Sequence, residues 1–205
     1  MQVDNSKNRT YAISESVIFA KTSEEFGGLS NMAPGYPLYI NENIIPNSEA
    51  LYQAMRYPLF PDIQFEIISQ NSPMTAKMIS KKYLEKTRQD WEQVKVKVMR
   101  WCLEVKLCQN WEKFSSLLNE TGHKSIVEYS AKDSFWGALK TEDKNKLSGL
   151  NALGRLLMDL RERYVISDKE LKKVIPLNVT GFLLYGHQIE IVYNDFVYSD
   201  DSTLV

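Results

Sequence analysis

A predicted helix that begins after Pro46 and carries a polar stripe constrains this chain more than any other feature of its sequence. Asn47 and Ser48 are good N-cap residues directly after the proline, and a run of helix formers follows them. Four polar side chains share one face, at the i, i+3, i+4 and i+7 spacing that usually carries an apolar stripe: Glu49, Tyr52, Gln53 and Arg56. The stripe faces either bulk solvent or a pocket, and spacing alone favours the two about equally.

The chemistry of the stripe favours a pocket. Solvated helix faces usually carry paired Lys and Glu, whereas tyrosine and glutamine between one carboxylate and one guanidinium suit a polar ligand. Glu49 lies in the first helical turn, where the helix dipole favours an ionised carboxylate by roughly 0.3–1 kcal/mol. We therefore expect Glu49 to be anionic and to act as a base, a nucleophile or a stabiliser of a cation.

The composition is that of an ordinary globular protein. The chain has 205 residues, of which 43% are hydrophobic and 25% charged, and its formal net charge is −1. This charge gives no overall attraction to nucleic acid or to anionic membranes, so any contact with DNA must be local. No apolar run approaches the roughly 18 residues of a membrane span, and residues 1–10 are too polar for a signal peptide. We expect a cytoplasmic protein with no membrane partner, and we favour a monomer.

The cysteine and histidine content predicts neither a disulfide nor a metal site. Cys102 and Cys108 are six residues apart within one predicted helix and point in different directions, which fits a reducing compartment. Besides them the chain has only His123 and His187, too few for a Cys/His metal centre. The sequence indicates no cofactor.

The remaining pattern predicts a mainly helical α+β fold. Proline residues 58 and 61 end the first helix region, and residues 63–69 form a short helix. Ser72 caps a helix that runs to about residue 84, and Asp90 begins a long core helix with a capping box. Asn110 caps the helix after that. A last helix carries leucines 150, 153, 157 and 160 on one face.

The predicted strands are short, and the polar residues 1–12 are expected to be mobile. Residues 17–21 form a strand, and residues 38–45 form a hairpin that turns at Asn41-Glu42-Asn43. This hairpin region and a strand at residues 126–129 make one small sheet. Beyond residue 165 the pattern changes, with two possible strands within residues 181–198. We therefore predict a main domain at residues 1–164 and a C-terminal β appendage at residues 165–205.

Several loops and helix ends outside the stripe are candidate binding positions. Gly27-Gly28 with Ser30 and Asn31 lets the backbone approach a ligand, although most such loops are turns. Lys77 is either a solvated group or a phosphate ligand. In residues 133–137 an acidic residue precedes a tryptophan, which indicates a capping Asp and a buried Trp more often than a catalytic loop. Three residues lie at a helix N-terminus of the kind that binds phosphate: Asn151, Gly154 and Arg155. A glycine inside a helix is unfavourable, so Gly154 indicates either close packing or the approach of a ligand.

Taken together, these blocks resemble the NADAR family, also called YbiA-like. The matching blocks follow the family order over about residues 17–164: Phe26 to Asn31, Ser48-Glu49 through Gln53, Ser72-Pro73-Met74 through Met78, Asp90-Trp91-Glu92, Val127-Glu128 through Gly137, and residues 149–161. The resemblance implies cleavage of N-glycosidic bonds. One branch acts on phosphorylated ribosyl compounds of riboflavin synthesis, and another acts on ADP-ribosylated guanine in DNA. It also implies four active-site residues, with the turn at residues 151–155 nearby: Glu49, Trp91, Asp133 and Trp136.

The chain departs from many family members at two positions. It has Ala50 where they carry His, and Arg56 where they carry Lys, so a mechanism with an amine nucleophile would need Lys77 instead. The motif from Ser48 to Arg56 and residues 99–103 are most similar to the branch paired with DarT-type DNA ADP-ribosyltransferase toxins. We therefore expect an ADP-ribosyl-guanine glycohydrolase that acts as an antitoxin or a phage counter-defence. The alternatives are hydrolysis of riboflavin-pathway intermediates and an ADP-ribose reader, or toxin-neutralising protein, without turnover.

The expected roles follow from this interpretation. Glu49 carries the largest catalytic share, Asp133 comes second, and Lys77 is third. Trp91, Trp136 and Tyr52 could stack on a base, typically for roughly 1–3 kcal/mol each. Arg56, Lys77 and Arg155 could hold the pyrophosphate. The remaining expected substrate contacts come from Gly28, Ser30, Asn31, Gln53, Gly137, Asn151 and Gly154.

Overall fold

The structure, a computed structural model, describes residues 7–195 and is α+β with mainly helical content, as predicted. Its α-helices are Ser48–Ala54 (α1), Pro61–Ile68 (α2), Pro73–Ser80 (α3), Trp91–Gln109 (α4), Trp111–Glu120 (α5) and Ala152–Leu160 (α6). Its strands are Arg9–Ala12 (β1), Ser16–Phe19 (β2), Leu38–Ile40 (β3), Asn43–Ile45 (β4), Ser125–Glu128 (β5), Leu139–Lys140 (β6), Lys146–Gly149 (β7), Lys173–Val174 (β8), Leu183–Leu184 (β9), His187–Gln188 (β10) and Val192–Tyr193 (β11).

The predicted hairpin forms and leads into α1. Asn41 and Glu42 have φ values of 48° and 63°, so both central residues of the turn adopt the left-handed conformation of a two-residue β-hairpin. Asn47 then caps α1, because its side chain accepts a hydrogen bond from the backbone N–H of Ala50 at 3.0 Å. The hairpin thus fixes where α1 starts and which way its first turn faces.

The sheets differ from the prediction in their pairing. Strands β3 and β4 pair with each other, whereas β5 pairs in parallel with β2, so the predicted sheet of hairpin and β5 is wrong. Strand β1 pairs antiparallel with β7, and β7 also pairs with β6. Arg9–Ala12 thus forms a paired strand, which differs from the expectation that residues 1–12 are mobile, while residues 1–6 lie outside the described part. Both differences concern pairing between segments more than 100 residues apart.

Three helix ends also differ from the sequence prediction. Pro61 begins α2 at its first turn and does not terminate a helix. Asp90 makes no cap hydrogen bond, because its carboxylate accepts from the guanidinium of Arg88. Asn110 does not cap α5 with its side chain, which donates to the carbonyls of Pro37 and Lys106. The predicted cap of α3 is present, since Ser72 Oγ accepts from the N–H of Thr75 at 3.4 Å. That helix ends at Ser80 and continues as the 3₁₀ segment Lys81–Lys86.

The core surrounds α4 and includes side chains of the C-terminal segment at residues 171–192. Trp101, Leu103 and Cys102 of α4 are fully buried, and both cysteines of this helix are free thiols. Six apolar side chains of the C-terminal segment belong to the same core: Leu171, Val174, Phe182, Leu184, Ile189 and Val192. The segment forms the predicted hairpin, β9 with β10, and a second pair, β8 with β11. The part of the predicted strand region beyond residue 195 lies outside the described residues.

Side-chain hydrogen bonds hold this segment against α1 and α2. Gln64 is fully buried, and its amide donates to the carbonyls of Ala54 and Leu183 while accepting from the N–H of Tyr185. The segment therefore supports the end of the helix that carries the polar stripe. Within residues 7–195, no helix combines the length and the hydropathy that a membrane span requires.

Candidate active site

A cavity of about 520 Å³ lies where α1, α3, the first turns of α4 and the loop after β5 meet. Nine of the residues expected at the site line this cavity: Asn31, Glu49, Tyr52, Gln53, Arg56, Lys77, Trp91, Asp133 and Trp136. The polar stripe of α1 faces the cavity and not bulk solvent, since Glu49, Tyr52 and Gln53 are only 2%, 5% and 4% exposed. The solvated-face interpretation of the stripe is therefore wrong.

Glu49 is held on both carboxylate oxygens by side-chain amides. Asn31 donates its Nδ2 to Oε2, and Gln53 donates its Nε2 to Oε1 at 2.8 Å. The backbone N–H of Glu49 also donates to the carbonyl of Asn31 at 3.0 Å, so the loop and the helix start are joined twice. Because both oxygens face N–H donors, this arrangement suits a carboxylate better than a carboxylic acid.

Burial acts against that hydrogen-bond arrangement. It raises the pKa of Glu49 above the ordinary glutamate value, and the positive charge of Lys77, the two amide donors and Arg56 oppose the shift. The sequence prediction that the helix dipole keeps Glu49 anionic is thus incomplete, because it omitted burial. Glu49 lies under opposing influences, as expected of a group that exchanges a proton during a reaction.

Gln53 links Glu49 to two further groups of the site. Its Oε1 accepts from Ser80 Oγ at 2.7 Å and from a guanidinium nitrogen of Arg56 at 3.3 Å. Tyr57 in turn donates to the carbonyl of Ser80 at 2.5 Å. The amide of Gln53 is therefore fixed with its nitrogen towards Glu49, and α1 and α3 are joined beneath the cavity.

Three aromatic rings form one wall of the cavity. The ring of Tyr52 lies 5.0 Å from that of Trp91 and 5.7 Å from that of Trp136, measured between centroids. The guanidinium of Arg56 lies 5.1 Å from the Trp91 ring centroid, and its buried Nε has no hydrogen-bond partner among the described residues. An aromatic face beside a guanidinium with a free donor suits a ligand that combines a base with a phosphate.

Two lysines add positive charge around the cavity. Lys77 of α3 lines it, and its charge lowers the pKa of both Glu49 and Glu128. Lys95 of α4 lines it as well, and its ammonium contacts the carboxylate of Glu92 at 2.5 Å and the ring of Phe135 at 4.2 Å. The ammonium of Lys77 has no hydrogen-bond or ion-pair partner within residues 7–195, so it is available to a ligand.

Glu128 is a second carboxylate of the cavity that sequence reasoning did not single out. It ends β5, and burial, with the negative charge of Asp133, raises its pKa to about 7. The signal in the sequence is its position after the apolar pair Ile126 and Val127, where an alternating strand turns a carboxylate towards the opposite face. A carboxyl group that is partly neutral near pH 7 is suited to donate a proton.

Asp133 lines the cavity but has a structural task as well. Its Oδ1 accepts from the backbone N–H groups of Phe135 and Trp136, each at 2.9 Å. This is the capping arrangement that the sequence offered as the alternative to catalysis. The same bonds fix the loop that carries Trp136 and bring the charge of Asp133 close to Glu128.

Six expected binding residues do not line the cavity: Gly28, Ser30, Gly137, Asn151, Gly154 and Arg155. Close packing against backbone atoms requires two of the three glycines, Gly154 and Gly137, whereas Gly28 packs against side chains. A Cβ atom at Gly154 would lie 2.1 Å from the carbonyl oxygen of Ile126. One at Gly137 would meet the Glu128 carbonyl oxygen at 2.5 Å, and one at Gly28 the Tyr36 hydroxyl at 2.5 Å.

Asn151 supports the cavity from behind. It is fully buried with φ of 50°, and its side chain donates to the carbonyl of Ile126 at 2.8 Å and accepts from the N–H of Glu128 at 3.2 Å. Asn151 therefore aligns the end of β5, from which Glu128 enters the cavity. Among residues 7–195 no group of three or more His, Cys, Asp or Glu side chains is arranged to hold a metal ion.

Known proteins are similar to this chain in sequence and in fold. The NADAR domain model matches residues 18–165. N-glycosidase YbiA of Escherichia coli strain K12 is 35% identical over 148 residues, which cover 72% of this chain and 88% of YbiA. Riboflavin biosynthesis protein VVA0006 of Vibrio vulnificus strain YJ016 is 30% identical over 177 residues, which cover 85% of this chain and 44% of that protein. The NMR structure of E. coli YbiA matches with a TM-score of 0.62 and 31% identity, over 78% of this chain and 91% of YbiA. The chain therefore belongs to the NADAR domain family.

Proposed function

We propose that this protein is an N-glycosidase that releases ADP-ribose from guanine bases in DNA. The observation that carries the proposal is the buried carboxylate of Glu49 next to an aromatic wall and the cations Arg56 and Lys77. A ribosyl C–N bond breaks through an oxocarbenium-like state, which an adjacent carboxylate stabilises. The relatives named N-glycosidase support the bond type.

The carboxyl groups of Glu49 and Glu128 have different roles in the proposed reaction. Glu49, with both oxygens facing amide donors, stabilises the developing cation and takes a proton from the attacking water. Glu128, with a pKa of about 7, gives its proton to the leaving nitrogen of the base. The C–N bond breaks, the water oxygen bonds to the sugar carbon, and one proton returns from Glu49 to Glu128 through solvent.

The remaining cavity residues are assigned to binding. Tyr52, Trp91 and Trp136 offer ring faces to a base, and Arg56 and Lys77 carry the charge to hold a pyrophosphate. A cavity of about 520 Å³ falls within the range of roughly 300–1,000 Å³ that encloses ligands of this size. The motif from Ser48 to Arg56 favours the DNA substrate, and with it a role as antitoxin or phage counter-defence opposite a DarT-type toxin.

A second substrate class has a specific observation in its favour. Two relatives are named as riboflavin biosynthesis proteins, so phosphoribosyl intermediates of that pathway are the competing substrates. These compounds also combine a base, a ribose and a phosphate, and would use the same carboxyl pair.

One assay with two substrates tests the proposal. Catalytic amounts of protein are incubated with an oligonucleotide that carries ADP-ribosylated guanine and, separately, with phosphoribosyl riboflavin intermediates, and released sugar and base are quantified by chromatography. We expect multiple turnovers on the DNA adduct. Turnover of the small intermediates alone would reassign the substrate, and an adduct that persists at stoichiometric protein would leave a binding protein without activity.

A further inference from the structure

Lys106 is the single fully buried lysine of residues 7–195, with only 1% of its surface exposed. It lies near the end of α4, the helix whose first turns contribute Trp91 and Lys95 to the cavity, but it does not line the cavity itself. Burial lowers the pKa of Lys106 well below that of an ordinary lysine, and no carboxylate within the described residues forms an ion pair with it. A charge pair therefore does not explain why a lysine is buried at this position.

The contacts of Lys106 converge on the loop that precedes the hairpin. Its Nζ donates to the carbonyl of Gly28 at 2.5 Å and to the carbonyl of Ser30 at 3.0 Å. The same ammonium lies 4.1 Å from the ring centroids of both Tyr36 and Phe114. Two carbonyls and two ring faces are the environment that an ammonium group without a counterion requires.

That loop continues directly into Asn31, the partner of Glu49. The carbonyl of Asn31 accepts from the N–H of Glu49, and its Nδ2 donates to the Glu49 carboxylate. The loop is thus bound to α4 through Lys106 and to α1 through Asn31. Gly28 allows the loop to pack closely against the side chain of Tyr36, since a Cβ atom at Gly28 would lie 2.5 Å from the hydroxyl of Tyr36.

We propose that Lys106 is a positioning residue, which fixes the carbonyls of Gly28 and Ser30 so that Asn31 stays bound to the carboxylate of Glu49. The proposal adds to the proposed function a residue outside the cavity, and its geometry does not depend on which substrate is used. Removing Nζ leaves the carbonyl of Gly28 without its side-chain donor and the carbonyl of Ser30 with only the backbone N–H of Ala33, so the loop relaxes and the bond from Asn31 to Glu49 weakens.

Several charged and titratable groups face Glu49, and a test that compares variants must leave these groups unchanged. Lys77 faces it from α3 and Arg56 from its own helix, while Glu128 faces it from β5. The charge of Glu49 also acts with burial to raise the pKa of Tyr52 of α1 and the pKa of Cys102 of α4. Lys106 is not among the groups that shift Glu49 directly, so its replacement acts on Glu49 through the loop.

The test is the pKa of Glu49, measured by NMR titration of its side-chain carboxyl carbon in the full-length protein. In Lys106→Met we expect this pKa to rise, because a bond that favours the carboxylate is lost. The matched control is Lys113→Met, which removes a cation that lies 4.3 Å from the Tyr36 ring and donates to Gly35, but does not touch Gly28 or Ser30. We expect no change of the Glu49 pKa in this control.

A double mutant shows whether the effect runs through Asn31. If it does, Lys106→Met changes the Glu49 pKa no further in an Asn31→Leu background. A full additional shift there, or an unchanged pKa in folded Lys106→Met, overturns the proposal. If Lys106→Met does not fold, Lys106→Gln is titrated instead. Its shorter neutral amide reaches the carbonyls less well, and an unchanged Glu49 pKa in that variant overturns the proposal equally.

Turnover is the second measurement. If the protein is active in the substrate assay, Lys106→Met should lower kcat about tenfold with little change in KM, because it alters a group that acts in the transition state. If the wild-type protein has no glycosidase activity, the proposed function fails. The titration of Glu49 still decides the role of Lys106, so the two failures are distinguishable.

Discussion

Gln53 donates its side-chain amide to Glu49 one helical turn earlier, at 2.8 Å between Nε2 and Oε1. Its carbonyl oxygen is occupied at the same time by Ser80 and Arg56, so the amide cannot rotate without breaking three hydrogen bonds. The polar stripe of α1 is therefore a connected network, in which the position of the proposed catalytic carboxylate depends on its neighbours.

Replacing Gln53 by Leu should cost about 1–3 kcal/mol of stability, because it removes the donor to Oε1 of the buried Glu49 and the acceptor of the buried Ser80 hydroxyl. Urea denaturation measures this directly. Gln93→Leu is the matched control, since Gln93 lies on the exposed side of α4 and its replacement should change stability by less than about 0.5 kcal/mol. Equal stability of the two variants would show that the network around Gln53 is not needed for folding.

The C-terminal segment should stabilise the domain through Phe182. This side chain is 7% exposed and its ring lies 4.8 Å from that of Trp101, edge to face. Phe182→Ala should cost about 3 kcal/mol, whereas Phe65→Ala, at a position that is 65% exposed, should cost about 0.5 kcal/mol. Thermal unfolding of both variants tests this. A Phe182→Ala protein as stable as the wild type would favour a separable appendage at residues 165–205.

The proposed acid gives the reaction a pH dependence. Glu128 has a raised pKa of about 7, so its neutral form predominates below that pH and is lost above it. We expect kcat/KM for the DNA adduct to fall as the pH rises through about 7. In Glu128→Gln the rate should be low and this decline absent. A wild-type rate that stays level from pH 6 to 8 would exclude Glu128 as the proton donor.

The raised pKa of Glu128 also predicts how the stability of the protein changes with pH. The pKa of Glu128 in the folded protein lies above the ordinary glutamate value of about 4.3. The contribution of this group to the free energy of unfolding is therefore complete below a pH of about 4.3 and is lost as the pH rises to about 7. The free energy of unfolding should therefore fall less over this range in Glu128→Gln than in the wild type. Denaturant titrations at several pH values provide the comparison.

The role of Lys77 can be separated into charge and nucleophilicity. Lys77→Arg keeps the positive charge and removes the primary amine. If the residue binds phosphate and acts on the two carboxyl groups by charge, this variant should retain activity within about tenfold, while Lys77→Met should lose more. Complete loss of activity in Lys77→Arg, with normal ligand binding, would indicate an amine-nucleophile route.

Local signals in the sequence predicted the local parts of this structure. The cap at Asn47, the hairpin at Asn41 and the start of α3 at Ser72 each depend on a few adjacent residues, and all are present. The polar stripe was recognised because its spacing is visible in one helix. That it faces a cavity could be favoured from residue types but not decided, since burial is a property of the whole fold.

The features of the site that could not be predicted from the sequence depend on contacts between distant segments. Glu128 was missed because its raised pKa arises from burial among Asp133, Lys77 and Glu49, which only the folded chain brings together. The sequence left Gly154 open between close packing and ligand approach, and in the structure it allows α6 to pack on the carbonyl of Ile126. The sequence alone does not distinguish a glycine that packing requires from one that ligand binding requires.

The most direct test of the central claim is the rate at which Glu49→Gln removes ADP-ribose from an ADP-ribosylated guanine in DNA. The substitution keeps the shape of the side chain and removes the charge that would stabilise the oxocarbenium-like state. We predict a folded protein that still binds ADP-ribose and removes the adduct at least about a hundredfold more slowly than the wild type. A wild-type rate in Glu49→Gln would contradict the account and move the chemistry to another group of the cavity.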